Sequence, residues 1–333
     1  MNYIVIFSAF LAFLTTIYSI KWFIRYAWRI ELVVKDQNKK DKPLVPISGG
    51  IAVMAGIFIG LSSFIFFNTF IGNGFDNYLG DKALNFLFAS IVSILMITFV
   101  GFVDDLIIKS DKSSSVGLKQ WQKPLLTLVA AIPLIIVNAG VTTMQLPFLS
   151  RIDVGLFYPL LFVPLGVMGA ANMVNMLAGF NGLESGMGLV YTGMLGLYAF
   201  SFGRNTAALI ALMAFCALLA FFYFNKYPAK IFPGDSLTYL LGAIIASIAI
   251  IGNIEKAALI ASIPFIVEFF LKLRGKFKKQ SYGYYKDGNV HSYYKQIYSI
   301  PHIFTRTGKF TEKQVVYYLM LIEFLFCSLI WVV

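Results

Sequence analysis

Charged residues are scarce in this chain. Asp, Glu, Lys and Arg make up 13% of its 333 residues, whereas hydrophobic residues make up 59% and the mean hydropathy is +0.77. Soluble globular domains contain about 25% charged residues. The shortage of charge excludes an ordinary soluble domain and indicates that much of the chain faces lipid.

Cysteine and histidine are almost missing. Cys216 and Cys327 both lie in apolar runs, where we expect them to be small buried side chains. The two histidines, His291 and His302, are eleven residues apart. These numbers exclude a disulfide framework and a Cys/His zinc site. Any metal chemistry in this chain would therefore depend on oxygen ligands.

Long apolar runs recur from one end of the chain to the other. A membrane-spanning helix needs roughly 17–25 predominantly apolar residues. Ten runs predict an all-α polytopic membrane protein with a single domain over residues 1–333. The predicted spans are 3–24, 48–70, 84–103, 124–140, 155–174, 186–203, 206–224, 237–251, 257–271 and 314–333. We do not expect the first to be a cleaved signal peptide, because no basic residue precedes it and no small-residue cleavage site follows.

Basic residues are distributed unevenly between the loops. The loops on one side of the ten spans hold 23 of the 27 Lys and Arg residues. Since cytoplasmic loops are enriched in these residues, that side is predicted to be cytoplasmic and both termini extracytoplasmic. The predicted cytoplasmic loops are 21–47, 104–123, 225–236 and 272–313. The net charge of +11 then reflects topology and contact with anionic lipid, so no nucleic-acid partner is expected. On the external side, residues 141–154 are long enough for a small hairpin.

Acidic residues stand at the cytoplasmic mouths of two predicted spans. Asp104 and Asp105 are adjacent at the end of the third span. Acids near membrane depth are costly and therefore tend to be functional, although a pair at the interface costs less. Asp235 precedes the eighth span, close to Phe232, which we expect to be exposed. A role as helix N-cap would explain this aspartate equally simply.

Amide side chains are concentrated in the stretch NMVNMLAGFNGLESG, residues 172–186. Asn172 and Asn175 are three residues apart and share one face of a helix. The alternative is that both only bond a neighbouring helix. Asn181 and Gly182 mark an irregular turn after the helix.

Two basic stretches complete the predicted cytoplasmic face. The stretch DQNKKDKPLVPISGG, residues 36–50, ends in glycines that permit close approach of helices or a ligand, or it is only a basic loop before a helix. The last cytoplasmic loop contains a cluster that suits anionic lipid headgroups or a diphosphate. Its members are Arg274, Lys276, Lys278 and Lys279.

The combination of these groups is more informative than any one of them. Carboxylates, amides and a basic cluster are predicted to lie on one membrane face. Mg²⁺ takes hard oxygen ligands, with one or two carboxylates completed by substrate phosphates. The constellation therefore predicts phosphoryl chemistry at the membrane surface.

Three motifs resemble those of the polyprenyl-phosphate N-acetylhexosamine-1-phosphate transferases. NMVNMLAGFNGLESG is similar to the uridine and magnesium motif of that family, and FVDD and KIFPGDSLTYLLG are similar to its two acidic motifs, in the same chain order. LAGFNGLE resembles the eukaryotic and archaeal branch, which uses UDP-N-acetylglucosamine and dolichyl phosphate. The peptidoglycan branch has aspartates in place of Ala178 and Asn181, and a histidine-rich motif that this chain lacks.

The resemblance implies a role for each motif residue. Asn175 and Asp235 match magnesium ligands, with Mn²⁺ as a substitute ion, and Asn172 is expected beside them. The implied substrate contacts are Phe232 stacked on uracil, Asn181 at the base edge with Gly182 in the same turn, and Lys123 on the donor diphosphate. Asp104 and Asp105 match the pair that orients or deprotonates the acceptor phosphate. The eukaryotic Arg-His-Arg run is missing, so its role falls less directly on Arg274, Lys276, Lys278 and Lys279.

The activity implied by the resemblance is Mg²⁺-dependent transfer of GlcNAc-1-phosphate from UDP-GlcNAc to a polyprenyl or dolichyl phosphate, with release of UMP. Direct attack by the lipid phosphate is favoured over an aspartyl intermediate. The long insertion before the last eukaryotic span is missing, which favours an archaeal cell membrane over the endoplasmic reticulum. The alternatives are another UDP-N-acetylhexosamine as donor, a membrane transporter, or a structural scaffold. The sequence leaves a homodimer open.

Overall fold

The computed structural model describes residues 3–71, 82–107, 117–144 and 152–332. Helices dominate these ranges. The helices are α1 (Tyr3–Arg29), α2 (Gly50–Phe70), α3 (Ala83–Ile107), α4 (Gln122–Val129), α5 (Ile132–Ile136), α6 (Val163–Met176), α7 (Leu183–Ser201), α8 (Asn205–Asn225), α9 (Gly234–Gly252), α10 (Glu255–Ala261), α11 (Ile263–Arg274), α12 (His302–Thr305) and α13 (Glu312–Leu329). A π-helical turn, Tyr158–Phe162, leads directly into α6. Part of the predicted cytoplasmic loop 104–123, residues 108–116, lies outside the described residues.

Six helices in the described ranges are long and apolar enough to cross a membrane: α1, α2, α3, the π-turn with α6, α8 and α9. The other four predicted spans overlap shorter, broken or more polar helices, namely α4 with α5, α7, α10 with α11, and α13. Two of these are broken near Pro133 and Pro264, because proline lacks the N–H that a continuous helix needs. The chain is therefore a mostly helical integral membrane protein.

In the ranges that the structure describes, three short antiparallel strand pairs correct the all-α prediction. β1 (Val33–Lys35) pairs with β2 (Leu44–Pro46), β3 (Thr143–Met144) with β4 (Ile152–Asp153), and β5 (Tyr284–Lys286) with β6 (Asn289–His291). The second pair confirms the small hairpin predicted within residues 141–154. The third turns at Asp287 and Gly288, whose φ angles of 49° and 87° suit a type I′ turn.

Helix α9 is the buried centre of the molecule, since every residue from Ser236 to Gly252 is buried. A Cβ on Gly242 would lie 2.3 Å from Ala171 Cα in α6, and a Cβ on Gly101 in α3 would lie 2.4 Å from the carbonyl oxygen of Asp235. Both close approaches require glycine. As a result, the polar C-terminal ends of α3 and α6 meet the N-terminus of α9.

Candidate active site

Asp105 caps helix α9 from the neighbouring helix α3. Its Oδ1 accepts a hydrogen bond from Asp235 N at 2.8 Å, and its Oδ2 accepts from Ser236 N at 3.2 Å and from Ser48 Oγ at 2.6 Å. Gly234 makes room for this carboxylate, because a Cβ there would lie 2.3 Å from Oδ2, and its φ of +72° is in the left-handed region that favours glycine. Asp105 is fully buried. It therefore holds two helices together rather than facing a groove.

The same contacts show that the capping explanation for Asp235 is wrong. No side chain of its own segment caps α9, and Asp235 lies inside the first turn of the helix. The carboxylate of Asp235 is left to point toward Lys123. The sequence predicts one shared role for the adjacent acids Asp104 and Asp105. The structure instead places them in two different sites.

Asp104, Lys123, Asn175 and Asp235 form what we call the groove cluster. Lys123 Nζ lies 2.5 Å from Asp104 Oδ2 and 2.7 Å from Asp235 Oδ2. Asn175 Nδ2 donates to the same Asp235 oxygen at 3.2 Å. Leu118 N donates to the other oxygen of Asp104. Four motif residues that are far apart in the sequence therefore meet at one point.

The groove cluster is open on one side. The side chains of Lys123 and Asp235 are 23% and 21% exposed, whereas that of Asp104 is 1% exposed. One ammonium between two carboxylates leaves one formal negative charge. The accessible part therefore offers an ammonium that suits phosphate oxygens and a carboxylate that suits a cation.

The donor set of the groove cluster fits Mg²⁺. Within the described residues, no group of three or more His, Cys, Asp or Glu side chains is placed to hold a metal, so any ion here would rest on Asp235 and an amide oxygen, completed by phosphates and water. Asn175 Oδ1 now accepts from Thr238 Oγ1 at 2.8 Å. A flip of the amide would turn Oδ1 toward Asp235, and the threonine hydroxyl would accept where it now donates.

One further polar group is buried beside the groove cluster. The hydroxyl of Tyr239 lies one helical turn beyond Asp235 and is buried without a hydrogen-bond partner in the described structure. Buried hydroxyls are normally hydrogen-bonded. An unpaired phenol beside the groove cluster is consistent with a site that is completed by a ligand.

The side-chain amide of Asn172 bonds a neighbouring helix rather than a member of the groove cluster. Its Nδ2 donates to Thr127 Oγ1 at 2.9 Å and to Met168 O at 2.8 Å. Thr127 belongs to α4, the helix that contains Lys123. For Asn172, the alternative interpretation as a bond to a neighbouring helix is confirmed, and the bond ties α6 to the helix of the groove lysine.

Asp36, Lys39, Asn181 and Glu312 form a second group, the loop cluster. Lys39 Nζ lies 3.3 Å from Asp36 Oδ2 and also contacts Glu312 Oε2. Glu312 Oε1 accepts from both the backbone N and the Nδ2 of Asn181 at 2.8 Å. Asn181 Nδ2 also donates to Asp36 Oδ2 at 3.0 Å. Glu312 follows Asn181 by 131 positions, which is why sequence reasoning missed it.

The amide of Asn181 is therefore almost fully occupied inside the protein. Both Nδ2 protons have carboxylate acceptors, and Oδ1 accepts from Ala229 N at 2.7 Å. A base edge could use only the second lone pair of Oδ1. The adjacent Gly182 has a φ of +87° and lies against the backbone of Lys226, so its glycine character is explained by the turn.

Phe232 is half-buried rather than exposed as predicted. Its backbone N donates to Pro46 O at 2.7 Å, and its carbonyl accepts from Gly49 N at 2.9 Å. A Cβ on Gly50 would lie 2.3 Å from Leu237 N. The expectation that these two glycines permit close helix approach is confirmed, and the approach fixes Phe232 at the start of α9.

The basic cluster borders the groove without joining it. Arg274, Lys276 and Lys278 are exposed, and Lys279 is half-buried with its ammonium 5.0 Å from the ring centre of Tyr294. Arg274 lies over the Tyr298 ring. In the described structure, Gln120 Nε2 donates to Phe277 O at 3.2 Å. This bond brings the basic loop to the segment just before Lys123.

Comparisons with known proteins agree with this arrangement. The model of glycosyl transferase family 4 matches residues 87–253, which contain the whole groove cluster. A Saccharolobus solfataricus protein is 37% identical over 325 residues, covering 97% of this chain and 93% of that protein. A Sulfolobus acidocaldarius protein is 32% identical over 327 residues, covering 98% and 94%. Both names provisionally assign UDP-N-acetylglucosamine–dolichyl-phosphate N-acetylglucosaminephosphotransferase activity to those proteins.

A bacterial relative is more distant. The phospho-N-acetylmuramoyl-pentapeptide-transferase of Clostridium perfringens is 30% identical over 204 residues, which is 60% of this chain and 64% of that protein. The two archaeal proteins match nearly the full length, including the first and last cytoplasmic loops predicted here. The two archaeal proteins therefore match more of this chain, at higher identity, than this bacterial protein does.

Proposed function

The chain belongs to glycosyl transferase family 4, and we propose that it transfers GlcNAc-1-phosphate from UDP-GlcNAc to dolichyl or another polyprenyl phosphate. The products are UMP and a lipid-diphosphate-GlcNAc. The observation that carries the proposal is the groove cluster, where an accessible ammonium and an accessible carboxylate meet at the mouth of a membrane helix. An archaeal relative that aligns with 97% of this chain has a name that provisionally assigns this activity to it, which supports the same donor and acceptor here. We assign the protein to an archaeal cell membrane.

The reaction joins two phosphates. An oxygen of the lipid phosphate attacks the phosphorus that carries the sugar, the bridging P–O bond of the donor breaks, and that bond's electron pair leaves with UMP. Lys123 is suited to bind the diphosphate, because its ammonium is accessible and lies between two acids that can release it. Positioning and charge stabilisation supply most of the catalysis in such transfers.

Direct attack by the lipid phosphate is the route that the acids of the site favour. Asp105 is buried and bonded to the backbone of α9, and Asp104 is held by Lys123 and Leu118. Each of these two carboxylates is a poor nucleophile, because its oxygens already accept hydrogen bonds or an ion pair. Asp104 can instead exchange its ion pair with Lys123 for a proton of the acceptor phosphate, which keeps the orienting role that the resemblance implies.

We further propose that Asp235 and Asn175 hold Mg²⁺, with Mn²⁺ as a substitute. When bound, the ion would neutralise charge on the donor diphosphate. Phe232 is proposed to stack on uracil, and the basic cluster to contact the diphosphate from the adjacent loop. All groups of the groove cluster come from one chain, so the proposal does not require the homodimer that the sequence leaves open.

We also propose ten membrane spans, with the groove on the cytoplasmic side. Three contacts join the four basic loops in the described structure: Asn38 to Gly283, Gln120 to Phe277, and Pro46 to Phe232. Contacts among all four support a common face, and their Lys and Arg content supports the cytoplasmic side.

Cysteine labelling tests this orientation. Asp287 at the tip of the third hairpin and Ser201 at the end of α7 are both exposed. In intact cells, an impermeant thiol reagent should label Ser201→Cys and leave Asp287→Cys unlabelled until the membrane is opened. The reverse pattern would overturn the orientation. The wild type, with Cys216 and Cys327 only, provides the background.

UMP release by the purified protein tests the function. Release should require UDP-GlcNAc, a prenyl phosphate and Mg²⁺ together, and the lipid product should carry one GlcNAc and two phosphates. A panel of UDP-N-acetylhexosamines would identify a different donor within the same family. Protein that binds UDP-GlcNAc or moves it across vesicles without cleaving it would favour the transporter instead.

A further inference from the structure

Two glutamates lie fully buried within predicted spans, and their surroundings differ. Glu323 in α13 accepts a hydrogen bond from Cys327 Sγ at 3.5 Å, and its Oε2 has no hydrogen-bond partner in the described structure. Glu268 in α11 has a cation and several donors around it. Both are 0% exposed. Since a buried carboxylate is costly unless paired, the rich surroundings of Glu268 call for a specific role.

Glu268 holds the far end of the last cytoplasmic loop. Its Oε1 accepts from Ser299 Oγ at 2.6 Å, and its Oε2 accepts from Ile300 N at 2.7 Å. Lys272, one turn further along α11, lies 3.6 Å from Oε1. The loop therefore returns to the helix from which it started.

Lys272 holds the near end of the same loop. Its Nζ donates to Lys279 O at 2.9 Å and to Ser281 Oγ at 2.6 Å. Ser281 Oγ in turn lies 3.3 Å from Met176 O. Met176 follows Asn175, the amide of the groove cluster, so the ion pair is connected to the groove through one serine.

We propose that Glu268 and Lys272 are positioning residues for the donor, a buried clamp that sets the basic cluster relative to the groove cluster. The segment between residues 275 and 300 is fastened at both ends to one turn of α11. Three of the four basic-cluster residues lie within this segment. This inference rests on the proposed function, because it assigns the basic cluster to the donor diphosphate.

The contacts of Lys272 explain why this clamp is an ion pair rather than an apolar contact. Lysine offers three donors, and the clamp uses them on a carbonyl, a hydroxyl and a carboxylate. An apolar residue could fill the space but could not fix the carbonyl of Lys279. Removing one partner leaves the other charge buried and alone, which is strongly destabilising.

Single variants and the double variant separate positioning from stability. Glu268→Gln and Lys272→Met should each lower the Tm and raise the KM for UDP-GlcNAc by about 10- to 100-fold, since small misplacements cost that much. Glu268→Gln/Lys272→Met has no lone charge, so its Tm should recover. Its KM should stay high, because Lys279 O and Ser281 have lost their donor. The control Glu323→Gln should leave the KM unchanged.

Hydrogen exchange supplies a readout besides activity. Backbone amides between residues 276 and 300 should exchange faster in Lys272→Met and in the double variant than in the wild type or Glu323→Gln. A KM that returns to the wild-type value together with the Tm in the double variant would reduce the pair to a stabilising contact. Unchanged exchange would overturn the clamp itself. If the wild type releases no UMP, the donor role fails with the proposed function, and exchange still decides whether the pair holds the loop.

Discussion

The groove cluster and the loop cluster contain the same kinds of group but differ in access. Each has one lysine between two carboxylates, with an asparagine donating to an acid. In the groove cluster, Lys123 and Asp235 are 23% and 21% exposed. In the loop cluster, Lys39 is 15% exposed and Asp36 only 4%. The composition of a polar cluster therefore does not decide how accessible its charged groups are.

The difference lies in which bonds can be exchanged. Asp235 and Lys123 are each partly exposed, so a cation can bind the carboxylate and a phosphate can bind the ammonium while Asp104 keeps its bond from Leu118 N. The donors of Asn181 point at two buried carboxylates, and each lost bond would leave a buried acceptor unsatisfied, at a cost of about 1–3 kcal/mol. The loop cluster joins the loop between α1 and α2 to the start of α13. We expect it to fix the shape of the site rather than to take part in the chemistry.

The largest expected effect is the one that would break this comparison. Asp235→Asn keeps the shape of the side chain but removes the charge that Lys123 and a metal require. Turnover should fall at least about a hundredfold, equivalent to about 2.7 kcal/mol of barrier, while the Tm stays near the wild-type value. Asp36→Asn, the matched change in the loop cluster, should lower the Tm and leave turnover nearly unchanged.

Both variants are measured by UMP release over a range of Mg²⁺ concentrations and by thermal unfolding in detergent. Near-normal turnover of Asp235→Asn at low Mg²⁺ would contradict the metal role of Asp235. Loss of activity in Asp36→Asn with an unchanged Tm would show that the loop cluster is itself part of the active site.

A smaller effect sharpens the comparison at the proposed base pocket. Phe232→Ala removes a stacking ring whose backbone is held independently, so the KM for UDP-GlcNAc should rise by about 5- to 150-fold, from about 1–3 kcal/mol of lost stacking. The Tm should change little. Asn181→Ala should lower the Tm as well, because it removes bonds to Asp36 and Glu312. An unchanged KM for Phe232→Ala would place the base elsewhere, and an unchanged Tm for Asn181→Ala would contradict the loop cluster.

The smallest expected effect concerns the pH dependence of stability and involves His302, a buried histidine near Lys272 of the clamp. His302 accepts from Tyr298 N and faces Gln280 O at 3.0 Å. Burial, followed by the charges of Lys272 and Arg306, lowers its pKa to about 4. The unfolded chain binds a proton near the ordinary pKa of 6.5, so this residue's contribution to stability is complete above pH 6.5 and is lost as the pH falls toward 4.

Thermal unfolding between pH 7 and pH 4.5 measures this contribution. The Tm of the wild type should fall by several degrees more than that of His302→Gln, which cannot take up the proton. Parallel pH profiles for the two proteins would show that His302 is not held neutral.

Much of the architecture could be predicted, because hydropathy is a local property. All ten apolar runs correspond to helices or helix pairs, and the groove cluster unites four residues taken from three sequence motifs and the adjacent QKP segment. The acidic pair could not be divided in advance. Neighbouring residues on a helix point about 100° apart, and only the packing of α9 against α3 decides that Asp105 caps a helix while Asp104 faces Lys123.

The sequence by itself determined the membrane class, the basic face and the types of group available for phosphoryl chemistry, because each depends on composition or on spacing along a few turns. The tertiary structure alone decided which of those groups are free. Asn175 and Asn181 are only six positions apart in one motif, yet Asn175 bonds the partly exposed Asp235 and Asn181 is bonded to Glu312 of α13. Availability depends on partners brought from distant parts of the chain, and long-range packing supplies them.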